Sequence, residues 1–333
     1  MEGPGLCLLL RKTLPALARL AETQARQPSQ VQAFQRRRNS CLVMSAGVRE
    51  VGMRHFETAI PGPENPLGVI NVPGDCATVE EALIKASPGQ TILFAEGEHT
   101  WRGKIEVEKA VHVRGMKDGV TGFPATKLKG RWRIRIPPPD PWVRNPQEMC
   151  SLTNVWCESE SGYCMEISNG HVQLHNSRVL CNGGTALSVF DCEVGLHGCI
   201  LGFLRPRCNY GLVVGNRGVV WMQQSVLRNC KNGAFLRDTG VLKMHQCEIL
   251  RAAHAFGCII PNEADLEVTS CRLAEIENNW HIVTRPSKLF QEANYNEKGE
   301  LIFLHGHQDG KHAFKYGEHA EDDIPPPHDP HEQ

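Results

Sequence analysis

Residues 172–180 (VQLHNSRVL) and residues 194–201 (VGLHGCIL) share one pattern, and its repetition decides the fold. An apolar residue, any residue and a second apolar residue are followed by two mostly polar positions and then by a small residue. The pattern also occurs in CSLTNVW (150–156), VWMQQSVL (220–227), LKMHQCEIL (242–250) and LEVTSCRL (266–273). The small residues, at steps of 22, 22, 26, 22 and 24 positions, are Val155, Ser177, Cys199, Ser225, Cys247 and Cys271. Such self-similarity predicts a repeat architecture.

The length of the repeat selects the architecture. A unit of about 23 residues with two or three short strands is too short for a propeller blade and lacks the helix of a leucine-rich repeat. It fits a parallel β-helix, in which successive turns lie about 4.8 Å apart and equivalent residues stack into columns. The small residues then form an inward column at a tight corner. The predicted inward residues of the last strand in each unit are Met165, Ile167, Leu187, Val189, Leu212, Val214, Ala234 and Leu236.

A short amphipathic helix is predicted ahead of the coil. Thr78 and Glu81 form a T-x-x-E capping box, and the Pro-Gly pair at 88–89 ends the pattern. The apolar stripe of this helix consists of Val79, Ala82, Leu83 and Ala86. Because the end of a coil exposes core and strand edge, we expect the helix from Val79 to Ser87 to cover it.

The stretch TVEEALIKASPGQTILFAEGEHTWRGKIEVEKAVHVRG (78–115) resembles the entry into the right-handed parallel β-helices of the pectin-lyase-like superfamily. His99 stands where that family usually has tyrosine. With the repeats, the resemblance implies an all-β right-handed parallel β-helix (solenoid) with an N-terminal capping α-helix and flexible termini. In style the chain is similar to the non-catalytic modules of Shc SH2-domain-binding proteins and β-helix F-box proteins. Since the superfamily also contains lyases, hydrolases and esterases, the resemblance alone implies no activity.

These observations divide the chain into three parts. Residues 1–65 are expected to be a disordered or targeting segment, residues 66–290 the β-helix, and residues 291–333 a partly disordered extension rich in histidine and proline. The basic N-terminal segment is typical of an organellar presequence, and a disordered basic tail is the alternative. Five prolines in the segment 136–146 predict a protruding loop.

Composition and charge restrict the partners. The chain is 41% hydrophobic and 22% charged, with a formal net charge of −1. It therefore lacks the strong positive field that nucleic acid or an anionic membrane requires. We expect a protein or glycan partner, no nucleic acid and no cofactor. No run of about 18 apolar residues occurs, so no membrane span is expected.

The fourteen cysteines include no C-x-x-C pair, and most lie in strand-like runs such as HQCEIL and TSCRLA. Buried thiols behave as small hydrophobic groups. Secreted disulfide frameworks belong mainly to much shorter chains. We therefore predict a reduced, intracellular and cytoplasmic protein, with organellar import through the basic N-terminal segment as the alternative.

Acidic residues suited to sugar chemistry are sparse. Glycoside hydrolysis uses two carboxylates beside the scissile bond, and a bound Ca²⁺ needs several carboxylate oxygens. The aspartates of the repeats are the isolated Asp191, Asp238 and Asp265. We therefore expect no catalytic residue and favour a non-enzymatic scaffold. The alternative is a polysaccharide lyase or hydrolase acting on acidic sugars, with Glu166, Arg178 and the loop around Trp142 as first candidates.

Two outward sets of side chains are candidates for binding. Alternation along the last strand of each unit predicts an outward column of Glu166, Ser188, Val213, Phe235 and Ile259. The apolar end of this column indicates that something lies on it, either a terminal segment of the chain or a partner. The arginines that recur late in their units are Arg178, Arg228, Arg251 and Arg272. They predict a basic strip for phosphate or acidic peptide, with a solvated face as the alternative.

Histidines form two further sets. His175, His197 and His245 share one outward position of the repeat, and the run 304–333 holds six of the fifteen histidines of the chain. No carboxylate accompanies the first set, and histidine-rich ends are usually disordered. We therefore expect solvated histidines and no metal site.

Overall fold

The structure of the protein, a computed structural model, describes residues 68–137, 149–203, 208–258, 263–280, 288–302 and 304. In chain order its elements are β1 (Val69–Val72), α1 (Val79–Lys85), β2 (Thr91–Phe94), β3 (Gly97–Val107), β4 (His112–Arg114), β5 (Thr126–Ile134), β6 (Cys150–Thr153), β7 (Val155–Ser159), β8 (Tyr163–Ser168), β9 (His171–His175), β10 (Arg178–Cys181), β11 (Thr185–Phe190), β12 (Glu193–His197), β13 (Ile200–Gly202), β14 (Cys208–Gly215), β15 (Val219–Gln223), β16 (Val226–Leu236), β17 (Val241–His245), β18 (Glu248–Cys258), β19 (Asp265–Thr269), β20 (Arg272–Trp280), β21 (Lys288–Glu292), β22 (Asn294–Tyr295) and β23 (Leu301–Ile302).

The strands build two long sheets whose neighbours come from successive turns of a coil. One sheet has ten strands in the order β1-β2-β4-β6-β9-β12-β15-β17-β19-β21, and the other has thirteen. Pairing is parallel throughout the coil, so that Val172 of β9 lies beside Val194 of β12, which lies beside Val220 of β15. The protein is an all-β right-handed parallel β-helix with one helix in its described part, which confirms the predicted fold.

Each turn of the coil has three faces. The ten-stranded sheet is the first face. The thirteen-stranded sheet bends, because its long strands pair with different partners at their two ends: in β16, Val226 lies beside Ile200 of β13, whereas Phe235 lies beside Val213 of β14. We call the part around β7, β10 and β13 the second face, and the part around β8, β11 and β14 the third face.

The interior of the coil is apolar. The first-face strands β9, β12, β15, β17 and β19 alternate strictly, with two inward residues buried in each, such as Val172 and Leu174 in β9. The eight residues predicted to point inward on the third face are all fully buried in the main core cluster. This burial confirms their predicted orientation. The prediction was possible because side chains alternate along a strand, so one known position fixes the others.

The corner between the first and second faces is formed by the predicted small residues, which we call the ladder. The structure adds one member to the ladder, Asn294. The residue before each member has a left-handed backbone, with φ between 47° and 64°: Asn154, Asn176, Gly198, Gln224, Gln246, Ser270 and Ala293. This conformation turns the chain sharply inward, so that Cys199, Cys247 and Cys271 are buried as predicted.

Ladder side chains also hydrogen-bond from one turn to the next. Ser225 Oγ accepts from Cys199 N at 2.9 Å, and Asn294 Oδ1 accepts from Cys271 N at 3.0 Å. Ser225 Oγ donates to the Gln223 carbonyl at 2.8 Å. At Ser225 and Asn294 the polar atom therefore matters as well as the size, since the corner leaves backbone groups that these side chains satisfy, whereas Val155 fills the corner without a polar atom.

Helix α1 begins and packs as the sequence predicts. Thr78 Oγ1 accepts from Glu81 N at 3.2 Å, and the buried side of the helix consists of Val79, Ala82 and Leu83. Lys109 Nζ donates to the carbonyls of Ile84 and Ala86 at 2.9 Å each, which satisfies acceptors at the C-terminal end.

The remaining predictions concern the ends and one loop. Residues 1–65, most of the loop at 136–146 and residues 305–333 lie outside the described residues, so the proposed domain boundaries stay predictions. Strand β21 passes position 290 and pairs with β19 of the coil. In the described part of the chain, no helix is long and apolar enough to cross a membrane.

Candidate functional site

The outward column of the third face is longer than the sequence analysis predicted. The strand register places Glu106 beside Arg133, and Arg133 beside Glu166. The full outer column is Glu106, Arg133, Glu166, Ser188, Val213, Phe235 and Gly257. Its first two members were not predicted because β3 and β5 lack the repeat motif. The alternation of polar and apolar residues in RWRI (131–134) could have indicated that Arg133 points outward.

Ile259 does not occupy the position predicted for it. Phe235 pairs with Gly257, so Gly257 follows Phe235 in the outer column, and Ile259 lies outside the described residues. The prediction was wrong because it aligned GCII with the earlier units two residues too late. In β18 the inward residue beside Ala234 is Phe256.

The polar half of the outer column is an ion-pair network in which Arg133 and Glu166 are buried and Glu106 is exposed. Arg133 Nε lies 2.9 Å from Glu166 Oε1, and Arg133 Nη1 lies 3.8 Å from Glu106 Oε1, which also accepts Lys104 Nζ at 2.9 Å. Arg133 is 4% exposed and Glu166 is 9% exposed. Burial alone would lower the pKa of Arg133, but the charge of Glu166 and the contact with Tyr163 outweigh it and raise the pKa. This arginine therefore stays protonated and is a poor general base.

The apolar half of the outer column is covered. Val213 and Phe235 are fully buried in a cluster outside the main core, together with Phe190 and Tyr210. The ring of Tyr210 meets that of Phe235 edge-on, with centroids 5.2 Å apart. Ser188, between the two halves, is also buried. At least part of the predicted cover is thus supplied by the chain itself, through aromatic residues of neighbouring turns.

Two arginines of the predicted strip lie on the second face: Arg178 directly follows the ladder residue Ser177, and Arg228 lies two positions further along in the strand register. Arg178 lies on β10 and Arg228 on β16, and both are half-buried. In the described residues neither guanidinium has a hydrogen bond or an ion pair, and the Nε atom of each is buried. Burial lowers the pKa of Arg178, and the charge of Arg228 lowers it further. Arg228 has a lowered pKa for the same reasons, with Arg251 as its charged neighbour.

The other two arginines of the predicted strip differ, because each forms an ion pair with a carboxylate. Arg251 Nε lies 3.0 Å from Glu275 Oε2, and Arg272 is paired with Glu248. Arg251 is exposed, so its ion pair is an ordinary surface contact, whereas Arg272 is half-buried and its pair with Glu248 is partly shielded from solvent. The structure therefore divides the predicted strip into a partnered pair and an unpartnered pair.

The histidine column has the predicted register, but its members are half-buried, and two of them contact neighbouring side chains. His197 pairs with His175 and with Gln223, and Gln223 pairs with His245. His175 Nε2 lies 3.0 Å from Gln173 Oε1, and His245 Nδ1 lies 2.9 Å from Thr269 Oγ1. Within the described ranges no group of three or more potential metal ligands occurs.

The repeat aspartates are separate from one another. Asp191 and Asp238 occupy turns with φ of 50° and 51°, the left-handed conformation that aspartate tolerates better than most residues. Asp191 accepts from Arg217 Nε at 3.2 Å, and Asp265 lies 3.3 Å from Lys288 Nζ. None of them adds a second carboxylate to the outer column.

Comparison with known proteins gives similarity of fold. No protein-family model and no curated protein sequence matches the chain. Its structure is similar to that of the pectin methylesterase from Aspergillus niger in deglycosylated form, with 12% identity, a TM-score of 0.41, and coverage of 71% of this chain and 87% of that chain. It is also similar to a pectin methylesterase mutant in complex with hexasaccharide IV (8% identity, TM-score 0.44, 71% and 90% covered) and to pectate lyase Pel9A (12% identity, TM-score 0.40, 68% and 79% covered). At these levels of similarity, function has to be inferred from the side chains of this chain.

Proposed function

We propose that the protein is a non-enzymatic β-helix module that serves as a rigid scaffold for binding a protein or a glycan. The observation that carries this proposal is the small number of ionisable side chains in the outer column and their pairing with one another. Its only carboxylates in the described residues, Glu106 and Glu166, both contact Arg133. The rest of the column, from Ser188 to Gly257, contains no ionisable side chain.

This arrangement is poorly suited to sugar chemistry. General acid and base catalysis needs two carboxylates that differ in protonation and face the substrate. Here the Arg133 guanidinium lies between the two carboxylates, and the Lys104 hydrogen bond, together with the charges of Lys104 and Arg133, lowers the pKa of Glu106. The shared ion pair is also shielded from solvent, so a polymer in the surrounding water would not reach the Glu166 carboxylate without a rearrangement.

The alternative function is a polysaccharide lyase or hydrolase acting on acidic sugars, and it can be tested directly. The full chain is incubated with polygalacturonate and with its methyl-esterified form, each with and without Ca²⁺. Unsaturated products, new reducing ends and released methanol are then measured. We expect none above the buffer blank. Turnover by the wild type that is lost in Glu166→Gln would contradict the scaffold function and support the enzymatic one.

The intracellular, cytoplasmic location is part of the same proposal. It is supported by the twelve described cysteines, all of which are free and buried. Burial raises the pKa of Cys199 to about 12, so this thiol stays protonated at neutral pH. Imaging of the full chain and of a chain that begins at residue 66 tests the location. A change of compartment on truncation would show that the first 65 residues direct import.

A further inference from the structure

On the second face, two half-buried guanidiniums have no polar partner in the described residues, and the packing of the coil does not explain why they are there. We propose that Arg178 and Arg228 together bind the phosphate group of a phosphorylated side chain on a partner protein. This inference rests on the proposed function, since it specifies the ligand that the scaffold would take. The second face, and not the outer column, is then the docking surface.

The position of the two arginines suits one shared ligand. Strand β13 separates β10 from β16, so the two backbones are about 10 Å apart along the coil axis. Arg178 is level with Val226, so Arg228 is also offset from it by two residues, about 7 Å, along the strand. β13 consists of Ile200, Leu201 and Gly202 and carries no charge of its own. Two arginine side chains can converge across this distance on a group that lies between them.

Aromatic rings orient the first arginine. The Arg178 guanidinium carbon lies 4.3 Å from the ring centroid of Phe123 and 5.0 Å from that of Trp156. Contacts of this kind hold a guanidinium by its flat face and leave the N–H edge available. Trp156 Nε1 is itself a buried donor with no acceptor in the described part of the chain. The neighbourhood therefore has an excess of donors, which an oxyanion would satisfy.

The carboxylates around the arginines are already used. Lys127 Nζ lies 3.0 Å from Glu158 Oε2, and Glu248 and Glu275 are bound by Arg272 and Arg251. No acidic side chain of these pairs remains to neutralise Arg178 or Arg228. In the described residues Lys127, Arg251 and Arg272 thus each have a carboxylate partner, whereas Arg178 and Arg228 have none.

A phosphate monoester fits this site better than a carboxylate does. It carries nearly two negative charges at neutral pH and three acceptor oxygens, and planar guanidiniums bind such oxygens through paired N–H bonds. A single sugar carboxylate brings one charge and two oxygens, so an acidic glycan would need two correctly spaced carboxylates to compensate both arginines. The charge count therefore favours a phosphorylated protein over an acidic glycan.

The test uses the full chain and probes of defined chemistry. Phosphotyrosine amide, phosphoserine amide, inorganic phosphate and oligogalacturonate are titrated by calorimetry. In parallel, the arginines are modified with phenylglyoxal, and the modified residues are identified by peptide mass spectrometry. We expect both phosphoamino acid amides to bind and to protect Arg178 and Arg228. Arg217, which is 86% exposed and paired with Asp191, should stay unprotected and serves as the internal control.

Substitutions then separate binding from folding. Arg178→Gln and Arg228→Gln should each weaken phosphoamino acid binding about tenfold or more, and Arg217→Gln should leave it unchanged. The melting temperature of both binding variants should equal or exceed that of the wild type, because each removes an uncompensated charge. A melting temperature that falls in both variants, with no phosphate binding by the wild type, would show that the arginines are structural and would overturn the inference.

Two further outcomes distinguish this inference from the proposed function. Protection by oligogalacturonate alone, without turnover, would overturn the phosphate assignment and leave a glycan-binding scaffold. Equal phosphate binding by the wild type and by the doubly substituted protein would place the phosphate elsewhere and also overturn the assignment. Turnover of a pectic substrate would instead contradict the scaffold itself.

Discussion

At the ladder corner, polar side chains bond the neighbouring turns, whereas on the adjacent second face two guanidiniums have no polar partner in the described residues. Asn294 shows the first state, with its carbonyl oxygen on Cys271 N and its amide nitrogen on Val268 O, both at 3.0 Å. Arg228 shows the second state. Buried polar groups in folded proteins are almost always bonded, so the bonds of Asn294 indicate a structural role, and the unbonded guanidiniums agree with the ligand that we propose.

The largest effect is expected from overfilling the ladder. Cys247→Leu places two extra carbon atoms where Cys247 Sγ donates to Met222 O at 3.2 Å. We expect the free energy of unfolding to fall by about 1–3 kcal/mol, because a closely packed corner cannot expand. Urea denaturation measures this change. Cys247→Ser is the matched control, since Ser225 occupies the equivalent position, and it should stay near the wild type. An unchanged stability in Cys247→Leu would mean that this side chain does not face the interior.

A smaller loss is expected when a ladder bond is removed without overfilling. Asn294→Ala leaves Cys271 N and Val268 O without their partners in a buried site. We expect a loss of about 1–2 kcal/mol, the usual cost of unsatisfied buried backbone groups. Asn209→Ala, at an exposed position, is the control and should change stability little. If the two variants unfold at the same urea concentration, the bonds of Asn294 contribute nothing and the ladder acts through size alone.

The second face should respond with the opposite sign. Arg228→Met removes a half-buried charge that has no counter-charge in the described residues. The free energy of unfolding should therefore stay unchanged or rise by at most about 1 kcal/mol. Arg251→Met is the matched control because it breaks the exposed pair with Glu275 and should be neutral or slightly destabilising. A clear destabilisation by Arg228→Met alone would remove the contrast between the two regions.

The ladder could be predicted from sequence because its cause is local. The corner requires a small residue once in every turn, so Val155, Ser177 and Cys199 recur at a regular step, and this step fixes the register of the short strands on either side of the corner. The inward residues Leu187 and Val189 are correct for the same reason. The capping helix is equally local, since its capping box and its Pro-Gly stop lie within one short stretch.

The state of the arginines could not be predicted because it depends on contacts between distant turns. The sequence places Arg178 and Arg251 in one set, yet only Arg251 has a carboxylate on the next turn, Glu275. Ile259 was misplaced for a related reason: β18 is a strand of eleven residues that crosses two faces, and composition alone does not show where it bends. Arg133 was missed because it precedes the first recognisable repeat.

The smallest predicted effect is a pH dependence at the histidine column, which borders the ladder. Burial lowers the pKa of His175 and of His245 below the ordinary value of 6.5, with the charge of His197 adding to the first shift and that of Glu267 opposing the second. The unfolded chain therefore binds protons below about pH 6.5 that the folded chain does not, so stability should fall as the pH decreases from 7.5 to 5.5. The double variant His175→Gln with His245→Gln should show a flatter dependence of melting temperature on pH. Glutamine already occupies this column as Gln223, so the substitution itself should be tolerated. An equal slope in the variant and the wild type would mean that these histidines are as accessible to protons in the fold as they are in the unfolded chain.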